Sequence, residues 1–467
     1  MWRHINKYHV RNLQHVAKYL QGEMEHILCR GNKVSYLRLQ RYTVSYKRWE
    51  DQGKLEIPPP EFDWDYLCDE SKMEEIKDNI MHRKRVGDID KVREIWKLWK
   101  NENNDERKSK LLIVLNTAAA AIPNKSNPNS PIGEEDQAVT METVGREREF
   151  DFKPRSVIDI CEKLGLLQTQ NLSHTCSHRA YYFLGDLARL EHALIQFTLD
   201  RVRKNGFLLI SVPDIINPGI IEACGFPTSG KKTQVYSLDL GNPDNGRLCL
   251  AGTSEMPIAG FFMNQILHGQ HLPQKVCAVS RCYRAETSDA VQERGIYRVH
   301  EFTKVEMFAV TRPAQSDEML QKIIGIERDL FSELGLYFKV LDMPTQELGA
   351  PAYQKYDIET WMPALKFWGE ISSASNCTDY QSRRLNIKYM TDKGDNLSHV
   401  HTINGTACAI PRLIMAIVEN YQQNDGSVEI PKALQPYMNG KSKLERCDLE
   451  KRRRFLSKPI ELHGKVY

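Results

Sequence analysis

The stretch RCYRAETSDAVQERGIYRVHEFTKVE, residues 281–306, concentrates four arginines, five acidic residues and a lysine, with aromatic and β-branched residues threaded between them. Both of its ends read as strands. Side chains on a strand alternate faces, so Arg284 and Glu286 share one face, as do Arg298, His300, Phe302, Lys304 and Glu306 on the returning strand. If TSDAVQERG folds the second strand back onto the first, two arginines, two glutamates and one aromatic ring meet in a common space. A solvent-facing sheet laced with cross-strand ion pairs accounts for the alternating charge but not for Phe302 among the charges. Arginines that clamp a polyanion, a ring that stacks on another flat ring and a carboxylate that holds an ammonium use all of these groups.

Other segments carry compatible parts. LAGTSEMPI sets Thr253 and Glu255 two apart, on one face if this is a strand: a hydroxyl and a carboxylate suited to a small zwitterion. WGEISSASNCTDYQSRR carries Glu370, Ser373 and Asn376 on a further expected strand, hard oxygen donors of the kind Mg²⁺ accepts when it also rides on phosphates. HTINGTACAIPRLIMAIVENYQ runs a small-residue turn into a helix whose first turn holds Arg412, a ready phosphate site. Taken singly, each fits an ordinary strand-edge pair, solvated acid or surface ion pair. Taken together, they predict one pocket for a nucleoside triphosphate, Mg²⁺ and an amino acid. GFPTSGKK at 225–232 comes close to a P-loop, but Lys232 stands where Ser or Thr is required and a strand, not a helix, follows.

The elements that must position these groups follow from periodicity. From Met73 to about Asn103 the apolar stripe Ile76, Ile80, Val86, Ile89, Val92, Ile95 and Leu98 predicts one amphipathic helix. After NENND a second helix runs to Ile122-Pro123, so the pair reads as an antiparallel hairpin. Beyond FDFKPRSVIDICEKLGLL, helix and strand signals alternate. Helices are expected over 186–205, ended by Gly206, and at about 316–334 and 411–422. Strands are expected in FLLISVPDII, QVYSLDL, RLCLAGTSE, QKVCAVSRCYRAE, GIYRVHEFTKVEMFAV and YFKVLDM, several of them adjacent and so antiparallel. The fold class is α+β.

The formal charge of +3 over 467 residues does not mark a general nucleic-acid binder, so any such surface is local. The 11 cysteines include no C-x-x-C pair, which argues against a disulfide framework or structural zinc and for a reducing compartment. No apolar run reaches membrane-spanning length. The N-terminal MWRHINKYHVRNLQHVAKYLQ is basic, free of acids and amphipathic if helical, as mitochondrial import segments are. A solvated basic extension or an RNA-binding arm has the same composition. Residues 1–50 are therefore expected to form a basic leader, 51–140 a helical-hairpin arm and linker, 141–435 the catalytic unit, and 436–467 a basic tail.

Over roughly 150–435 the chain resembles the seryl-tRNA synthetases, class II aminoacyl-tRNA synthetases, of the animal mitochondrial type. FTLDRVRKNGFLLISVPDII resembles their motif 1, with Pro213 at the dimer interface; CYRAE…RGIYRVHEFTKVEMF resembles motif 2; NGTACAIPRLIMAIVENYQ resembles motif 3. The resemblance implies an antiparallel sheet flanked by helices, with serine activated by ATP and passed to tRNA(Ser). It gives the catalytic roles to Arg284, Arg298 and Arg412. ATP falls to Arg284, Ala285, Glu286, Arg298, Phe302, Glu370, Ile371, Ser372, Ser373 and Arg412, and Mg²⁺ to Glu370 and Ser373. Serine falls to Thr253, Ser254, Glu255, Arg284, Glu306 and Thr406. It further implies a homodimer, or a heterodimer with a synthetase-like paralogue, no membrane contact, and the mitochondrial matrix. The departure is the arm: about 50 residues give helices of roughly 30 Å, stunted beside the long coiled coil of the family. MHRKR at 81–85 is one source of compensating positive charge. A catalytically retired relative that binds RNA or pairs with a true synthetase is the alternative, and such a protein is expected to lose Arg284, Glu306 or Arg412 first.

Overall fold

The computed structural model describes residues 57–170, 172, 176, 178–230, 233–239, 247–286, 295–391 and 396–447, with backbone alone at 461–462 and 465–466. The chain divides into two units, Met1–Ile57 and Pro58–Tyr467, and nearly all described residues belong to the second. The basic leader, most of the TSDAVQERG loop, Lys232 of the false P-loop and half of the basic tail lie outside the described residues.

The arm comes first. Where one long helix is expected there are two, α1 (Met73–His82) and α2 (Ile89–Asn101), and the true hairpin is α2 with α3 (Asp105–Ala120). Lys84 and Arg85 take left-handed backbone angles, and Gly87 has φ +103 with the Ala121 carbonyl where a Cβ would stand. The side chains of Asp88 and Asn104 then cap the two hairpin helices. The break rotates the stripe: Ile76, Ile80, Ile89, Val92 and Ile95 are buried with Leu115 and Ala119, whereas Val86 and Leu98 stand 54% and 55% exposed. At 13 and 16 residues, the hairpin helices reach only about 20 and 24 Å.

A strand, β1 (Val139–Val144), leads into the main unit, followed by α4 (Gly185–Lys204), β2 (Leu208–Ile210) and α5 (Glu255–Phe262). Then come β3 (Gln274–Tyr283), β4 (Glu301–Thr311), α6 (Ser316–Glu333) and β5 (Phe338–Asp342). The chain ends its core with β6 (Gln354–Met362), β7 (Phe367–Asn376), β8 (His401–Ala409) and α7 (Ile410–Asn420). The strands form one eight-stranded sheet in the order β1-β5-β6-β7-β8-β4-β3-β2. All pairings are antiparallel except β2 with β3.

Helices α4, α6 and α7 supply Leu190, Leu194, Phe197, Ile323, Phe331, Ile414 and Ile417 to a core shared with Val305, Met307, Ile358 and Ile403 of the sheet. Full burial of each such side chain contributes about 1.5–3 kcal/mol. Since one face of the sheet is spent on this core, the opposite face of its central strands is left for chemistry. Among the described residues no helix is long and apolar enough to cross a membrane, and all ten cysteines are free.

Candidate active site

β4 folds back on β3 with Phe302 opposite Cys282 and Glu306 opposite Ala278. The ribbon is shorter than expected. β4 begins at Glu301, and Arg298 and His300 sit in the preceding turn. His300 is drawn away from the common face, its Nδ1 lying 2.9 Å from the Tyr236 hydroxyl and 2.9 Å from the Arg284 carbonyl. Arg298 still reaches in, pairing with buried Glu286 at 3.6 Å, and the Arg284 guanidinium lies 5.3 Å from the centre of the Phe302 ring.

These groups line one cavity with Lys304, Thr406, the run Glu370–Ser373 and Arg412. Arg412 occupies the first turn of α7 and donates from Nη1 to Glu370 Oε2 at 3.1 Å and to the Glu370 carbonyl at 2.9 Å. Its guanidinium also lies 4.4 Å from the centre of the Tyr297 ring. Burial works to raise the Glu370 carboxyl, but Arg412 first and Lys355 second outweigh it and hold it below the usual range. Three apart on a regular strand, Glu370 and Ser373 would face opposite sides. A bulge between them, where Ile358 pairs with Ser372 and Glu359 with Glu370, brings both to the cavity.

At the inner end lies a polar nest. Thr253 Oγ1 donates to Glu306 Oε2 at 3.0 Å, and Thr406 Oγ1, directly across from Glu306 on β8, lies 3.5 Å from Oε1. Lys304 drives its Nζ between them, 2.8 Å from Thr253 Oγ1 and 3.4 Å from Thr406 Oγ1, and pairs with Glu306. Sequence reasoning placed Lys304 on this face without a role. Its spacing between Phe302 and Glu306 was the signal. Buried Glu255 accepts from Gln381 Nε2 at 2.6 Å, and burial first, then the neighbouring Glu306, pushes its carboxyl up to about 7.

Several expectations need correction. Thr253 and Glu255 do not share a strand: the strand ends at Leu250, Thr253 lies in the turn and Glu255 opens α5. Ser254, just ahead of α5, is fully buried and its hydroxyl has no partner among the described residues. Asn376 is committed elsewhere, donating to Asp317 at 3.0 Å. Ala285 uses its amide to reach the Gln234 carbonyl rather than lining the cavity. In MHRKR, Arg83 is buried against the carbonyls of Asn124, Gly349 and Ala350, and Lys84 pairs with Glu347.

A roomier cavity of about 380 Å³ lies at the root of the arm. Its polar groups already serve one another, as in the Arg383–Asp379 pair at 2.7 Å and the His401–Ser316 contact at 2.9 Å.

The family model for the tRNA synthetase class II core domain (G, H, P, S and T) matches residues 236–421, the stretch that holds the β3–β4 ribbon, the cavity and the head of α7, which makes this a class II aminoacyl-tRNA synthetase core. The chain is 47% identical over 322 residues to the mitochondrial serine–tRNA ligase of Bos taurus, covering 68% of this chain and 62% of that protein. It is 35% identical to the serine–tRNA ligase of Treponema denticola, covering 80% of this chain and 98% of that one. The seryl-tRNA synthetase from Pyrococcus horikoshii complexed with ATP superposes with a TM-score of 0.74 at 29% identity, over 81% of this chain and 100% of that chain. The chain belongs to the serine–tRNA ligase family.

Proposed function

We propose that this chain is a mitochondrial serine–tRNA ligase, which forms seryl-adenylate from serine and ATP and transfers the seryl group to the 3′ end of tRNA(Ser). One observation carries the reading: a buried nest of Glu306, Thr253, Thr406 and Lys304 adjoins a cavity lined by Lys304, Thr406, Arg284, Arg298 and Arg412.

ATP lies with its adenine on Phe302 and its phosphates among the arginines. Arg284, next to both compartments, grips the α-phosphate and the serine carboxylate; Arg298 and Arg412 take the outer phosphates. Glu255 and Glu306 hold the serine ammonium, and Thr406 its hydroxyl. A carboxylate oxygen of serine attacks the α-phosphorus in line, the bond to the bridging oxygen breaks, and pyrophosphate leaves with that electron pair. A ribose hydroxyl of the terminal adenosine then attacks the seryl carbonyl and AMP departs. The chain supplies no covalent nucleophile; orientation and prearranged positive charge carry the acceleration. A substrate without the hydroxyl leaves buried polar partners unpaired, so alanine is rejected more strongly than size alone provides.

Glu370 and Ser373 suit Mg²⁺ of the kind shared with phosphates: two hard oxygens on one cavity, with Glu370 kept ionised. Among the described residues no cluster of three or more His, Cys, Asp or Glu could hold a metal, so Glu370 and Ser373 would hold the ion only together with the bound nucleotide. An ion held by these two residues would supply charge neutralisation at the phosphates.

A homodimer through the segment around Pro213 is supported by the apolar edge strand β2, with Leu208 66% and Leu209 41% exposed. A mitochondrial location is supported by the bovine relative's name and by the basic, acid-free composition of the first 21 residues, and the matrix is our reading of the compartment within it. The retired-enzyme alternative is disfavoured, because Arg284 and Arg412 line the cavity and Glu306 anchors the nest. The test is charging: the full chain with ATP, Mg²⁺ and radiolabelled serine should acylate a mitochondrial tRNA(Ser) transcript and ignore alanine. Absence of charging, with the protein folded and dimeric, would refute the ligase reading.

A further inference from the structure

Directly behind the serine nest, on the core side of the sheet, lies a carboxyl that the reaction described above does not use. Glu327 of α6 is wholly buried, and neither of its oxygens has a partner at full hydrogen-bond geometry. α6 can approach this closely because β8 carries Gly405: a Cβ there would fall 2.5 Å from Glu327 Oε1. The polar group facing the carboxyl is the Ser372 hydroxyl of β7. That hydroxyl spends its proton on the Thr406 carbonyl, at 2.6 Å, leaving its lone pairs to accept. Thr406 in turn presents its own hydroxyl to Glu306 and Lys304.

We infer that Glu327 is a positioning residue for serine recognition: from beneath the sheet its carboxyl holds the Ser372 hydroxyl, which fixes the Thr406 carbonyl and thereby the Thr406 side chain in the substrate nest. The direction of the chain is set by chemistry. A wholly buried carboxyl is disfavoured as an anion: burial raises Glu327 well above the ordinary carboxylate range, outweighing the opposing pull of the Ser372 hydroxyl and of Lys304, so it is held as the neutral acid and can donate. Glu327 is therefore placed to donate to Ser372, and Ser372 donates in turn to the Thr406 carbonyl.

This inference rests on the serine–tRNA ligase reading, and steady-state pyrophosphate exchange separates the two. Wild-type protein is compared with Glu327→Leu, Glu327→Gln and Ser372→Ala, each first checked for an unchanged thermal melt profile. Glu327→Leu should raise KM for serine about tenfold, the value of one buried hydrogen bond, with KM for ATP unmoved. Glu327→Gln, whose amide can also donate, should restore serine KM to within about twofold of wild type. Ser372→Ala removes the link from its other end, and the effects of Ser372→Ala and Glu327→Leu should not add in the double variant. A purely structural role predicts equal damage to both substrates and no rescue by Gln. Unchanged serine KM in Glu327→Leu or Ser372→Ala, a matching rise in ATP KM in Glu327→Leu, or failure of the Gln variant to recover overturns the inference while wild-type exchange leaves the ligase reading intact. Absence of serine-dependent exchange in wild type overturns both.

Discussion

The Arg412 guanidinium donates twice to Glu370, to its carboxylate at 3.1 Å and to its backbone carbonyl at 2.9 Å. This fixes the cation at the head of α7 and keeps the proposed Mg²⁺ ligand ionised. A point charge does not replace a fork held in this way. Arg412→Lys should lower kcat/KM for ATP about a hundredfold while leaving the melting temperature almost unchanged; stopped-time exchange at varied ATP measures it.

Lys304 and Glu306 form an ion pair whose side chains are 7% and 2% exposed. Removing one partner strands the other charge. Lys304→Met should destabilise the fold by about 3 kcal/mol and abolish saturation by serine, since Thr253 and Glu306 lose the group that orients them. Urea unfolding and exchange at varied serine report the two effects separately.

Glu255 carries a carboxyl displaced upward from 4.5 to about 7 by burial and by Glu306. Holding a serine ammonium requires the ionised form, so kcat/KM for serine should climb as pH rises through about 7 and then level off, with no such step for ATP. Stability moves in the opposite sense. The folded state favours the neutral acid, so this contribution is fully present below 4.5 and is lost as pH approaches about 7. A serine profile that is flat between about pH 6 and 8 would remove Glu255 from ammonium binding.

Arg83, buried at the root of the arm, donates to Ser126 at 3.0 Å and to the carbonyls of Asn124, Gly349 and Ala350. It ties the arm to the loop beside β6 without touching the catalytic cavity. Arg83→Ala should leave serine-dependent exchange within about twofold of wild type but lower tRNA charging at least about tenfold. Equal loss in both assays would mean that the junction supports the active site rather than tRNA capture.

How much of this was legible in the sequence follows from what each signal encodes. Strand alternation gave Phe302, Lys304 and Glu306 correctly, because all three lie on β4. It failed for His300 and for the Thr253–Glu255 pair, where the backbone leaves the strand for a turn or a helix and period two no longer applies. Glu370 and Ser373 stood out as hard oxygen donors by residue type, but alternation alone would put them on opposite faces, and the bulge that brings both to the cavity leaves no compositional mark. The long arm helix was misjudged because a helical stripe continues through Val86, while two left-handed residues and Gly87 turn the chain there. Glu327 carries no signal of its own in the sequence: its contact with Gly405, on a strand distant in the chain, exists only in the folded protein.

The central claim is that ATP and serine react in the cavity where the β3–β4 ribbon meets the head of α7. Pyrophosphate exchange into ATP, measured with and without serine for wild type and for Arg284→Ala, tests it most directly. The account predicts serine-dependent exchange in wild type and none above background in the variant. Near-normal exchange in Arg284→Ala, or a wild-type protein that stays silent at saturating ATP and serine, would contradict it.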